Sequence, residues 1–181
     1  AIYKMTKHNI HRLVVVDSMG IICGILTDTD IIKFQTNTPF YFIRDLEYAN
    51  SLDEIKLLNN KTINFINFLI SSGIKTIELV RFISHINDAI VKKCIELVIK
   101  DNYFDLPDRF AFLVLGSEGR REQTLKTDQD NAIVYSDAIG NSDVEKIKDF
   151  AEKLISALIY IGIPECPGGI MAKNDMWRRG L

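Results

Sequence analysis

The sequence predicts an α+β protein whose strands and helices are segregated along the chain. Three observations carry that reading. Two short β-branched runs precede residue 27, helical periodicity fills the stretch from Pro39 to Pro107, and a strand–turn–helix–strand–helix order follows. The segments so defined are 1–36, 37–107 and 108–181. Of the 181 residues, 47% are hydrophobic, enough to build a packed core.

In the first segment Arg12–Val16 reads as a strand, Asp17–Gly20 as a turn and Ile21–Leu26 as a second strand, together a hairpin. Thr27 or Asp28 is suited to cap a short helix ending near Phe34. So little structure buries little surface, and this piece is expected to need a partner. In the middle segment Ser51 and Glu54 have the spacing of a capping box. Leu52, Ile55, Leu58, Phe65, Phe68 and Leu69 then form an apolar stripe that Gly73 ends. A second helix is expected over Thr76–Lys100, with Val80, Ile83, Ile90 and Val98 on its inner face. An antiparallel pair of this kind leaves apolar surface for another domain or subunit, a homodimer being one arrangement. Phe40, Tyr41 and Phe42 suit interdomain packing better than contact with a partner.

The last segment opens with the apolar strand Phe110–Leu115, followed by Gly116-Ser117-Glu118-Gly119. A short helix is expected over Arg120–Leu125 and a second strand over Asp130–Tyr135, with Asn131 interrupting its apolar run. Ser142 and Glu145 have capping-box spacing before a helix that reaches about Ile161, with Gly162 as its stop.

Charge narrows the functional classes. Lys and Arg number 22 against 24 Asp and Glu, a formal net charge of -2, so no extended polyanion-binding surface is expected. Lys4, Lys7, His8 and Arg12 make only a short basic rim. Cys23, Cys94 and Cys166 lie far apart, which argues against a disulfide scaffold or zinc site and for a reducing, cytoplasmic setting. No apolar run reaches the roughly 18–20 residues of a membrane span, so no membrane partner is expected. Cys94, on an apolar helix face, reads as core, and Cys166 as local packing.

The chemistry concentrates after Leu115. Gly116 permits a sharp turn, Ser117 offers hydroxyl and amide donors, and a helix starting at Arg120 would aim unpaired amides at the same space. Arg120 or Arg121 could add charge-assisted bonds to phosphate. Gly-Ser-x-Gly alone is usually just a tight turn, and it lacks the Lys-Ser/Thr ending of a P-loop. Asp128 and Asp130, two apart on an extended segment, would face one way, roughly 6–7 Å along the chain. They could hold one magnesium ion, or bridge two through phosphate oxygens. A bare Asp-x-Asp is commonly a solvated turn; this pair abuts an apolar strand, where its charge needs compensation.

Gly116-Ser117-Glu118-Gly119-Arg120-Arg121-Glu122-Gln123-Thr124, followed by Asp128-Gln129-Asp130-Asn131, closely resembles the nucleotidyltransferase module found beside CBS domains. That module is related to the uridylyltransferase of nitrogen-signalling PII proteins and to the polymerase-beta-like superfamily. Cys166-Pro167-Gly168-Gly169-Ile170-Met171-Ala172 and Trp177-Arg178 resemble it too, extending the likeness over about 108–181. The resemblance implies that Gly116 and Ser117 hold the phosphates of a nucleoside triphosphate and that Asp128 and Asp130 are the catalytic magnesium ligands. For Arg120 and Arg121 it implies phosphate contacts. It further implies a third carboxylate on a strand beyond Trp177-Arg178, making 108–181 the N-terminal part of a truncated polymerase-beta-like domain; Asp143, Asp149 and Asp175 lack the strand setting for that role.

His11-Arg12-Leu13-Val14-Val15-Val16-Asp17 and Gly24-Ile25-Leu26-Thr27-Asp28-Thr29-Asp30-Ile31 resemble the closing half of a CBS repeat, so 1–36 is a partial CBS-like segment and 37–107 a helical linker. In CBS modules residues at the positions of Thr27 and Asp30 contact adenosine ribose; the alternative for Asp30 is a role at the helix start. The expected function of the complete parent is magnesium-dependent transfer of a nucleoside monophosphate to a signalling protein or small acceptor, with this fragment incomplete or inactive. The competing expectation is a non-catalytic adenine-nucleotide sensor or a dimerisation scaffold.

Overall fold

The computed structural model describes residues 1–30, 39–71, 73–102, 105–124 and 128–181, apart from the side chains of Ile2, Pro39, Phe40 and Tyr41. The expected helix end at Phe34, the packing of Phe40 and Tyr41 and the expected helix end at Leu125 lie outside the described residues. The chain divides into two compact units, Ala1–Phe42 and Ile43–Leu181.

The first unit opens with α1 (Ile2–His8), a helix the strand-like reading of this segment omits; Asn9 closes it in the left-handed conformation at φ 49°. β1 (Arg12–Val16) and β2 (Ile22–Thr27) pair antiparallel, with Arg12 opposite Thr27. The turn forms because the Asp17 carboxylate accepts the amides of Met19 and Ile21 at 2.8 and 2.9 Å. A helical turn begins at Asp28. Thr27 Oγ1 accepts the Asp30 amide at 3.0 Å, and the Asp30 carboxylate accepts the Thr27 amide at 2.9 Å and its hydroxyl at 2.6 Å. This reciprocal cap gives Asp30 a structural task at the helix start. Val14, Ile22 and Ile25 remain exposed on the hairpin.

The second unit combines packed helices with a three-stranded sheet. α2 (Pro39–Tyr48) leads into α3 (Leu52–Ser71) and α4 (Thr76–Asp101). Ser51 Oγ accepts the Glu54 amide at 3.2 Å, but the Glu54 carboxylate reaches the Asn50 amide, one residue earlier than a strict capping box requires. Gly73, at φ 81°, ends α3 with its amide on Ile70 and that of Ile74 on Leu69. On α3 the buried positions are Ile55, Ile66 and Leu69, whereas Phe68 is 47% exposed. The expected stripe is thus rotated at its end: Ile66, not Phe68, turns inward. On α4, Ile83, Ile90 and Val98 are buried as the spacing predicts, joined by Ile86 and Leu97, while Val80 is half-buried. Cys94 is fully buried, and burial pushes its thiol up to about 12, so it is a core residue and no nucleophile.

β3 (Phe110–Val114), β4 (Asn131–Tyr135) and β5 (Arg178–Gly180) form a sheet with β4 central, antiparallel to β3 and parallel to β5. Between β3 and β4 sits α5 (Gly116–Gly119). The helix expected at Arg120 therefore starts four residues earlier, and Arg120 is its C-cap. Arg121 at φ 56° prevents its continuation. α6 (Asn141–Tyr160) follows β4 and packs on α4. The expected Ser142–Glu145 capping box does not form: the helix begins at Asn141 with Gly140 as N-cap, so Ser142 already lies inside the first turn and cannot cap it. Gly162, at φ 101°, ends this helix in the same manner as Gly73.

Ile147, Phe150, Ala151, Leu154, Ile155 and Leu158 recur at three- and four-residue steps and are all buried, which makes α6 the centre of the core. The Phe150 ring meets Phe110 of β3 edge-on, with centroids 5.9 Å apart. Among the described residues no helix is long and apolar enough to cross a membrane. We expect Phe150→Ala to lower the unfolding free energy by about 3–5 kcal/mol, measured by urea denaturation. A loss below about 1 kcal/mol would mean that α6 does not hold the sheet.

Candidate functional site

The site is built on the stretch that precedes β4. The Leu115 amide donates to the Asp130 carbonyl at 2.8 Å, so the pairing of β3 with β4 continues past both strand ends. On its other side this stretch is held by the segment after α6. Gln129 pairs with Glu165 in a parallel bridge, its amide donating to the Pro164 carbonyl at 3.1 Å, and the Asn131 amide donates to the Ile170 carbonyl at 3.0 Å. The side chains alternate as an extended backbone requires. Gln129 and Asn131 are each 2% exposed, and Asp128 and Asp130 are half-buried. Asn131 accepts the Ala172 amide at 2.8 Å and donates to the Gln129 side chain at 3.3 Å.

Asp128 and Asp130 converge with Cys166, one potential ligand atom from each lying within 4.8 Å of the others. Asp130 also lies against Gly116. A Cβ built on Gly116 would collide with Asp130 Oδ2, and Gly116 adopts φ 57°, so both space and backbone favour glycine there. At Gly119 a Cβ would come within 2.6 Å of the Val114 carbonyl oxygen. Ser117 is half-buried in the same turn, and its hydroxyl has no hydrogen-bond partner among the described residues.

Both arginines have carboxylate neighbours. Arg120 is exposed and donates from Nε to Glu122 at 2.8 Å; Arg121 is exposed and lies 3.9 Å from Asp88. Asp143 pairs with Lys146 at 3.0 Å, and Asp175 pairs with the buried Arg178, which also donates to the Ala172 and Lys173 carbonyls at 2.9 Å each. Neither aspartate joins the Asp128–Asp130 group.

Three members of the site escaped the sequence reading. Cys166 stands 36 residues beyond Asp130 and arrives only through the Gln129–Glu165 bridge; its resemblance-bearing Cys-Pro-Gly-Gly context was the available signal. A hydrogen bond to Asp130 and partial desolvation raise its pKa, which keeps it a thiol near neutrality. Gln123 is 3% exposed and takes the Asn87 amide on its Oε1. Glu118 is pushed up to about 7, first by burial and then by the negative charges of Asp88 and Asp130. As a donor set, two carboxylates side by side suit a hard divalent cation such as Mg²⁺, and the neutral thiol does not change that preference.

The chain belongs to the family described as Putative nucleotidyltransferase DUF294, whose model matches residues 60–181. The model of the CBS domain matches residues 1–37, so the exposed hairpin of the first unit is CBS-like. No curated protein matches the chain.

Two outcomes follow from this geometry. Gly116→Ala should lower the unfolding free energy by about 1–2 kcal/mol through the left-handed backbone alone, measured by urea denaturation. Gly140→Ala, with open space around its Cβ, is the control and should cost less. For Glu118 the folded pKa lies above the unfolded one, so the native state holds an extra proton between the ordinary value of 4.5 and about 7. Stability from this group is fully present below that window and falls as pH rises through it. In metal-free buffer Glu118→Gln should flatten this dependence and raise the melting temperature at pH 8; an unchanged pH profile would contradict the shift.

Proposed function

We propose that the complete parent protein transfers a nucleoside monophosphate from a nucleoside triphosphate to an acceptor, with Asp128 and Asp130 as the ligands of Mg²⁺. The observation that carries this reading is the convergence of the two carboxylates beside the Gly116 bend. Membership of a nucleotidyltransferase family supports it, as does the likeness of the Gly-Ser turn and Asp-x-Asp pair to the polymerase-beta-like superfamily and the PII uridylyltransferase.

The chain's residues divide the work. Gly116 lets the backbone come close to the carboxylates, leaving room that a side chain would occupy. By helix geometry the first amides of the bend have no intrahelical acceptor, and with the Ser117 hydroxyl they are available to phosphate oxygens. Asp128 and Asp130 hold the cation, and Gln129 and Asn131 keep them aimed. Mg²⁺, when bound, offsets negative charge on the phosphates and on the leaving group. The acceptor oxygen bonds to the α-phosphorus, the bond from that phosphorus to the bridging oxygen breaks, pyrophosphate leaves, and the acceptor proton passes to water. Arg120 and Arg121 serve as phosphate contacts only after exchanging their present carboxylate partners. The acceptor is a signalling protein or a small molecule.

The test is pyrophosphate release by the full parent with ATP, UTP, CTP and GTP, with and without Mg²⁺, followed by detection of a labelled acceptor. Asp128→Asn and Asp130→Asn should each lower Mg²⁺-dependent turnover by at least about 100-fold while leaving the circular dichroism spectrum unchanged. Full activity in both variants would remove the carboxylate pair from the mechanism. Tight nucleotide binding without turnover would favour an adenine-nucleotide sensor.

A further inference from the structure

On the side of the 128–131 segment away from the aspartates, the second unit holds a partly open cavity of about 330 Å³. Its apolar walls include Ile63 and Ile66 of α3, Ile83 of α4, Phe112 of β3 and Leu158 of α6. Its polar lining is mostly carboxamide, with the Thr62 hydroxyl beside it. Asn59, Asn87, Gln123, Gln129 and Asn131 contribute carboxamides, and Glu118 adds a carboxyl group. Among the described residues no Lys, Arg or His lines it.

Several of these amides are already engaged. Asn59 donates to the Ile161 carbonyl at 2.9 Å, Gln129 to the Ile163 carbonyl at 3.4 Å, and Asn131 to Gln129. Gln123 differs. It is 3% exposed and its Oε1 takes the Asn87 amide, but its Nε2 has no partner among the described residues. Asn87 Oδ1 likewise has no partner among the described residues, so this hydrogen-bonded pair brings one further donor and one further acceptor to the cavity lining. No buried side-chain N or O among the described residues lacks a partner, so this donor and acceptor are accessible to whatever fills the cavity.

We propose that this cavity is a second ligand site, which takes a neutral one- or two-ring heterocycle presenting a donor beside an acceptor along one edge, as a nucleobase does. The lining selects this class. Without a lining cation, an anionic ligand or a phosphate would be buried uncompensated. The aliphatic walls and Phe112 cover the faces of a ring, and the Asn87–Gln123 pair reads its edge. The site is separate from the aspartates, yet Gln129 and Asn131 belong to both surroundings. An occupant that shifts these two side chains also shifts Asp128 and Asp130. That regulatory consequence rests on the function proposed above; the binding does not.

The experiment is ligand-observed NMR titration of the full chain with adenine, uracil and, as an apolar control, indole, all without divalent cation. At least one base should bind at least ten-fold more tightly than indole. Gln123→Leu, which removes the open donor, should weaken that binding at least ten-fold. Val91→Phe, which fills the cavity from α4, should do the same and serves as the independent variant if Gln123→Leu does not fold. Asp128→Asn/Asp130→Asn should retain base binding while losing Mg²⁺ binding, so this proposal and the reading of the carboxylate site fail separately. Absence of base binding would mean that water alone fills the cavity. That result, equal affinity for indole, retained affinity in every folded cavity variant, or loss of base binding in the double aspartate variant would each overturn the proposal.

Discussion

Asn131 sits in the protein with 2% of its surface exposed, and its carboxamide has to find both acceptor and donor partners there. It does so by accepting the Ala172 amide and donating to Gln129, while its own backbone amide reaches Ile170. Gln129, equally buried, is tied to the 163–165 stretch by its backbone and its side chain. An extended chain alternates, so anchoring the odd-numbered side chains inward turns Asp128 and Asp130 to the other side together. The position of the carboxylates is thus a consequence of how two neutral amides avoid being buried without partners. A substitution at Asn131 would act on the carboxylates without touching them.

Charge is the second constraint. Asp128, Asp130, Glu118 and Asp88 bring four carboxyl groups into one region. Part of the repulsion is relieved locally: Glu118 is held towards its neutral form, the Cys166 thiol bonds to Asp130, and Arg121 stands near Asp88. Asp128 has none of these partners. A divalent cation between Asp128 and Asp130 is the simplest remaining compensation, and the absence of a Cβ on Gly116 leaves the backbone of α5 close to it.

The α+β class was legible because each segment repeats one period. α4, α6 and the strands around Gly116 and Asn131 follow directly from their apolar spacing, and the glycine stops at Gly73 and Gly162 follow from backbone sterics. Local details were harder to read. α1 was hidden because seven residues give too little periodicity, and Ser142 looked like a cap although Gly140 occupies that place. The apolar spacing puts a helix start at Arg120, four residues late, since the sequence does not reveal that Gly116 itself opens it in a left-handed conformation. The aspartate pair was visible from spacing and resemblance. Cys166, Gln123 and Asn87 were not, because their roles arise from contacts spanning 36 residues of chain in each case, which no local pattern encodes.

The joint holding of one cation by Asp128 and Asp130 is the claim on which the functional reading turns. Mn²⁺, a paramagnetic substitute for Mg²⁺, tests it most directly when titrated into the isotopically labelled protein. The amide resonances of Gly116, Ser117, Asp128 and Asp130 should broaden first and together, at substoichiometric metal. Broadening that begins at other exposed carboxylates, such as Asp53 and Glu54 at the start of α3, and leaves those four amides sharp would contradict it.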